Sequence, residues 1–316
     1  MTRRRELPRE LQRAVFTREQ LEKSGFHGTR VDAKDIIHTA VRGLYAHSSL
    51  EITESSLLWT LQKLYPKAWV SHFSAARMHG LYTPKHPADV SVHLTTLLGE
   101  PRIRRDGITS YQSGHRDSVV RSNALWLSSP ARTVIELASL ASLDELVVLI
   151  DQLVREPRPE LENRWEPFVH LTDWKKMAAE FHGRGAKKLR AATELARVGS
   201  DSPPETKLRL AIMRAGLPEP DLQIELPVRG WRRPSADLGY KELLIAVHYD
   251  GGSHREREQQ QRDNWRDNAF SAEGWRNLHC NSRDLAGGFR DTCARLERLI
   301  NEQRQRLGAE LRRRPA

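Results

Sequence analysis

The sequence predicts a multidomain α+β / α/β chain, and three patterns carry that reading. Apolar residues recur at helical spacing in some segments and alternate at strand spacing in others, so neither element type dominates. A helix, a turn, a second helix and a strand follow one another within residues 16–47. In the last third the order is α-β-β-β-α-β-α, built around a short apolar run at 243–247. These patterns divide the 316 residues into 1–52, a winged-helix-like module, 53–198, a middle α+β region, and 199–316.

In the first segment, Thr17-Arg18-Glu19-Gln20 is a capping-box pattern: Thr17 caps Gln20 and Gln20 reaches back. Gly25 ends that short helix. Asp32 is expected to cap a second helix carrying Ile36, Ile37 and Ala40 on one side and closed by Gly43. Leu44-Tyr45-Ala46 then enters a strand. This is the layout of a winged helix, and its second helix offers Lys34, His38 and Arg42 to a groove. The alternative is a small helical cap with an ordinary solvated face.

The middle region opens with Thr53 as cap of a helix bearing Leu57, Leu58, Leu61 and Leu64. Ser71 or Ser74 starts a second helix, which Gly80 ends. Residues 89–95 alternate and read as a strand. Ser129-Pro130 places a cap before a proline at the first helical position, opening a helix with Val134, Ile135 and Leu137. Another helix covers 143–154. The histidines here, His72, His79, His86 and His93, show no ligand spacing and read as structural. Residues 156–167 are rich in proline and charge and read as a linker. Helices follow from about 172 and over about 185–198.

In the last segment, Ser202-Pro203-Pro204-Glu205 combines a cap, proline at the first helical position and a glutamate at the third. The helix runs through Leu208, Leu210, Ile212 and Met213 to Gly216. Leu222, Ile224, Leu226 and Val228 alternate as a strand, and Gly230-Trp231 turns the chain. A strand around Asp237 follows, then the buried strand ending in His248, Tyr249, Asp250 and Gly251, with His254 beyond. A polar helix spans about 255–272, with a short strand at 277–280, a helical turn at Ser282-Arg283 and a last helix from Phe289 towards Arg306. The arginine-rich tail is either a frayed solvated end or a phosphate-gripping arm.

Charge narrows the partners. The chain has 51 lysines and arginines against 41 acids, a net charge of +10, with a pI near 9.8. That balance favours polyanions, nucleic acid first, although a basic surface without a partner has the same composition. Cys280 and Cys293 make no metal pattern and imply no disulfide framework. The basic start MTRRRELPRE lacks an apolar segment, so it does not read as a signal peptide. No apolar run approaches the roughly 18 residues of a membrane helix. The expected compartment is the cytoplasm.

A buried strand that ends in metal-competent groups is unusual. Burying such groups costs on the order of 2–7 kcal/mol unless something pairs with them, and a divalent cation is one natural partner.

The ordered set Pro203-Pro204-Glu205-Thr206, Gly216-Leu217-Pro218, Asp237, Tyr249-Asp250-Gly251, His254, Asp263, Arg266 and Gly274-Trp275 resembles the PD-(D/E)xK nuclease superfamily, in its very-short-patch-repair-like endonuclease branch. The resemblance covers about the last third of the chain and implies a restriction-endonuclease-like αβββαβα core. The region ahead is similar to the abortive-infection type IV antitoxin family. That similarity rests on the winged-helix-like start, Ser71-His72-Phe73-Ser74-Ala75-Ala76 with His79-Gly80-Leu81, Val92-His93-Leu94-Thr95 and Ser129-Pro130-Ala131-Arg132-Thr133.

The nuclease resemblance implies a metal-dependent DNA endonuclease using Mg2+ or Mn2+, with Asp237, Asp250 and Glu205 as ligands. Its catalytic set is then Asp237, His248, Asp250, His254 and Glu205. His254 serves as general acid or base, unless it merely starts the next helix. The capping box alone also accounts for Glu205. Asp263 and Arg266 are three apart on one helix face and would form a modest ion pair, about 0.2–0.5 kcal/mol if exposed; the resemblance instead has them brace the site or touch phosphate. The sequence departs from the family at His248, where most relatives carry a glutamate. Imidazole brings no negative charge and suits zinc, nickel or iron better than magnesium. Asp250, two residues on, faces the same way in a regular strand. The readings are retained or weak cleavage, a shifted metal preference, or a degenerate domain. In the last case the protein is a non-catalytic, antitoxin-like transcriptional regulator of DNA, with a cognate toxin protein as partner.

Overall fold

A computed structural model describes residues 6–83, 91–158, 162–227, 233–251 and 257–313, with the side chains of 257–260, 262 and 309–313 outside the description. Thr17 caps its helix as its sequence requires. Its Oγ1 accepts the Gln20 N–H at 3.2 Å, and Gln20 Oε1 accepts the Thr17 N–H at 2.8 Å. The first elements are α1 (Arg9–Gln12), β1 (Phe16–Thr17), α2 (Arg18–Lys23), a 3-10 turn (Gly28–Asp32), β2 (Ile36–His38) and β3 (Leu44–His47). The strands pair antiparallel in the order β1-β3-β2.

The expected second helix across 32–43 is therefore corrected: that segment is a turn followed by a hairpin. Asp32 ends the turn rather than capping a helix, and Ala33 is already extended, with φ −79° and ψ 151°. The β-branched pair Ile36-Ile37 favours a strand. It sends Ile36 into a small core with Leu7, Leu11, Phe16, Leu21, Val31 and Tyr45. Lys34, His38 and Arg42 lie before, at the end of and after β2, all exposed, and not along a helix.

The middle region contributes α3 (Glu54–Leu64), β4 (Trp69–Val70), α4 (His72–Met78), β5 (Val92–Leu97), β6 (Ile108–Ser113), β7 (Val119–Ser122), β8 (Leu125–Ser128) and α5 (Pro130–Leu137). Its mixed sheet has the order β6-β5-β4-β8-β7. Thr53 and Ser129 cap α3 and α5 through their side chains, as expected. The strand expected at 89–95 begins at Val92; residues 89 and 90 lie outside the description, as does His86. It is buried from Val92 through Thr96 rather than on alternate residues; Thr95 Oγ1 donates to Ser71 Oγ at 2.7 Å and His93 Nδ1 meets the Tyr111 hydroxyl at 3.2 Å.

The remaining elements are α6 (Leu143–Val154), α7 (Leu171–Glu180), α8 (Ala186–Leu195), α9 (Pro203–Arg214), β9 (Asp221–Glu225), β10 (Ser235–Tyr240), β11 (Ile245–Asp250), α10 (Arg257–Ala272), β12 (Arg276–Asn281), α11 (Ser282–Ala286) and α12 (Arg290–Arg313). The chain divides into two compact units, Met1–Ser142 with Met177–Leu189, and Leu143–Lys176 with Arg190–Ala316. The sequence reading placed 143–198 in the middle region. Buried chemistry ties α6 to α9 instead: Asp151 Oδ2 accepts from Arg209 Nη2 and from Thr206 Oγ1, both at 2.9 Å.

The second unit's mixed sheet has the order β12-β11-β10-β9. β10 and β11 pair antiparallel with Leu238 opposite Val247, while β11 and β12 pair parallel with His248 opposite His279. A 3-10 turn and Leu244 at φ 51° connect β10 to β11. Gly239 is required in β10, since a Cβ there would meet the Ile245 carbonyl oxygen at 2.1 Å. One cluster joins Leu208 and Ile212 of α9 to Leu238, Val247, Leu296 and Ile300; a second packs Ala236, Ala246 and Ile224 on Phe270 of α10. Among the described residues no helix is long and apolar enough to cross a membrane.

Candidate functional site

Glu205 lies in the first turn of α9, and its capping role is real but unusual. Ser202 caps no N–H with its side chain. Its Oγ donates to Glu205 Oε1 at 2.7 Å, and Glu205 Oε2 accepts the Asp201 N–H at 2.9 Å. Asp237 stands on β10, and its Oδ2 accepts the Tyr249 N–H of β11 at 2.7 Å. Burial and then the Asp237 charge push the Glu205 carboxyl up to about 8. Burial likewise raises Asp237, against the Tyr249 N–H and the Arg266 guanidinium. Two buried carboxyls, each raised by burial and one raised further by the other, form a site short of positive charge.

His248 faces α10. Its side chain is fully buried, edge-on to Phe270 at 5.6 Å and stacked on His279 at 5.0 Å between ring centroids. Burial first, then Arg266 and His279, hold its imidazole down to about 3. Asp250 shares this side of the strand, as alternation predicts, and its Oδ2 meets His279 Nδ1 at 3.2 Å. That hydrogen bond raises His279 above its ordinary value.

His248, Asp267 and His279 each offer one ligand atom within 4.8 Å of the others'. Asp237, Asp250 and Glu205 do not form such a group among the described residues. The structure thus brings Glu205 to Asp237 and turns Asp250 to His279. Asp263 and Arg266 pair at 3.3 Å, and the guanidinium also stands 3.9 Å from Asp267. His254 lies outside the described residues.

Sequence reasoning missed Asp267, Asn277 and His279. A signal existed: in Asn277-Leu278-His279-Cys280 the alternation puts Asn277 and His279 on one face. It gained meaning only once β12 was known to run parallel beside β11. A further cavity, about 710 Å3, lies in the first unit and is lined by His72, Tyr111, Arg132 and Glu136 among others. There His72 adopts φ 49° and stacks on Tyr111 at 3.5 Å, while Glu136 Oε2 accepts its N–H at 3.0 Å.

No family model matches the chain, and no curated protein matches it. Among solved structures, the RV2827C protein from Mycobacterium tuberculosis is similar over 61% of this chain and 74% of that chain, with 13% identity and a TM-score of 0.39. The fold and site define a mixed α+β protein of two units, with a buried acidic pair between the first turn of α9 and β10.

Proposed function

We propose that the chain is a divalent-cation-dependent DNA endonuclease with an N-terminal DNA-binding module. The observation that carries this reading is the Glu205–Asp237 pair, two buried carboxyls on different elements, each raised by burial and Glu205 further raised by Asp237. The donor set fits Mg2+ or Mn2+, hard ions that take oxygen ligands from one or two carboxylates. When bound, such an ion supplies charge neutralisation at a phosphodiester and a more acidic water. Asp237 is fixed for that role by the Tyr249 N–H, and Glu205 by Ser202 and Asp201. Arg266, on α10, lies close enough to lower Asp237 and offers positive charge to a phosphate. The α9-β9-β10-β11-α10-β12-α12 order fits the αβββαβα core expected of a restriction-endonuclease-like domain.

The first elements support the DNA-binding part. Helix, strand, helix, helical turn and hairpin with strand order β1-β3-β2 fit a winged-helix layout. The exposed Lys34, His38 and Arg42 then belong to its hairpin and offer charge to phosphates. A second reading, a non-catalytic DNA-binding regulator with a toxin partner, is favoured by His248 at the family's glutamate position and by Asp250 being engaged with His279. A plasmid-cleavage assay across Mg2+ and Mn2+ separates the two. Cleavage that Asp237→Ala abolishes while DNA binding persists supports the nuclease; binding without cleavage under every metal sinks it.

A further inference from the structure

We infer that the α10 face of the second sheet holds a separate transition-metal site made by His248, Asp267 and His279. It differs from the Glu205–Asp237 pair in its donors, two imidazoles and a carboxylate against two carboxyls. His279 is arranged as metal-binding histidines are, with one ring nitrogen on a carboxylate and the other directed at a co-ligand. Nδ1 meets Asp250 Oδ2 at 3.2 Å, and Nε2 meets Asp267 Oδ2 at 3.1 Å. His248 Nε2 stands 4.0 Å from Asp267 Oδ1.

One buried atom on the ligand side of this cluster, Asp267 Oδ1, has no hydrogen-bond partner and faces His248 Nε2. Buried polar atoms without partners are rare in a finished fold, and an unplaced ion is one explanation. Asn277 adds a fourth donor. Its Nδ2 is committed to the Asp267 carbonyl and Ser271 Oγ, which turns Oδ1 towards His248 Nε2 at 3.3 Å. A cation accepting His248 Nε2 displaces that contact and leaves Oδ1 as an oxygen ligand.

The local charge suits a divalent ion. Asp250 and Asp267 both touch His279, and Asp263 and Asp267 stand beside Arg266, so carboxylates are concentrated at the cluster. Two imidazoles with one carboxylate select borderline ions such as Zn2+ or Co2+ over Mg2+.

The test uses the full chain and Co2+ as a spectroscopic probe, with Zn2+ uptake measured by equilibrium dialysis. The expected result is saturable binding of one Co2+ with visible ligand-field bands, reversed by Zn2+. His279→Gln and Asp267→Asn, at side chains 35% and 30% exposed, abolish the bands while near-ultraviolet circular dichroism shows them folded. Asp250→Asn weakens binding by about 10–100-fold, and Asp237→Asn leaves it unchanged. The inference is overturned by absent saturable binding, by bands that survive His279→Gln and Asp267→Asn, or by bands lost in Asp237→Asn. The last result would assign the ion to the carboxylate pair. Because Zn2+ uptake is read without DNA, it stands or falls separately from cleavage.

Discussion

Asp237 Oδ2 accepts the Tyr249 N–H at 2.7 Å, so the acid of one strand is held by the backbone between His248 and Asp250 of the next. The bond fixes the carboxylate, and the charge of Asp237 adds to burial in raising the nearby Glu205 carboxyl to about 8.

The strained Glu205 carboxyl predicts a trade between stability and activity. Glu205→Gln removes the cost of holding a carboxyl protonated at neutral pH, and its amide oxygen can accept the Asp201 N–H while its NH2 donates to Ser202 Oγ. We expect a gain on the order of 1 kcal/mol at neutral pH, read as a higher Tm, together with loss of metal-dependent cleavage. A lower Tm would show that Glu205 serves the fold alone.

Asp151 and Arg209 form a salt bridge at 2.9 Å with side chains 1% and 0% exposed. Asp151 Oδ1 also accepts the Arg197 N–H at 2.7 Å. Removing either partner leaves a buried charge, so Asp151→Ala and Arg209→Ala should each cost about 3–5 kcal/mol. Their double variant should cost clearly less than the sum. Urea denaturation in a double-mutant cycle measures this, and additive losses would refute the coupling.

Burial, then Arg132, holds the His72 imidazole down to about 3. Its unfolded value is about 6.5, so between about 3 and 6.5 the unfolded chain binds more protons than the folded one. The stability of the neutral, buried ring is therefore complete above about 6.5 and is lost as pH falls towards 3. His72→Asn, which tolerates the left-handed backbone at φ 49°, should flatten the dependence by up to about 1.4 kcal/mol per pH unit. Denaturant midpoints collected from about pH 4 to 7 check the slope, and an unchanged slope rejects this source.

Lys34 and Arg42 are exposed on the first hairpin. Lys34→Ala and Arg42→Ala should each lower the salt dependence of DNA binding by about 1 in the log–log slope. Asp106 lies 3.4 Å from Arg42, so Asp106→Ala should strengthen binding. Fluorescence anisotropy over a salt series decides; unchanged slopes would remove the hairpin from the interface.

Sequence patterning fixed much of the fold because local chemistry suffices for it. The Thr17, Thr53 and Ser129 caps formed as their spacing dictates, and the last unit's element order followed from period alone. It failed across residues 32–43, where apolar spacing compatible with a helix sat on Ile36, Ile37 and Ala40, but the branched Ile36 and Ile37 pair with His47 and Ala46 in a hairpin. The acids Asp237 and Glu205 were visible as residues, but the shift of each carboxyl arises from burial between distant segments. Only the tertiary structure turned Asp250 to His279 and set His248 and Asp267 beside it. Facing across parallel strands, and the depth at which a ring loses water, depend on which strand lies next to which.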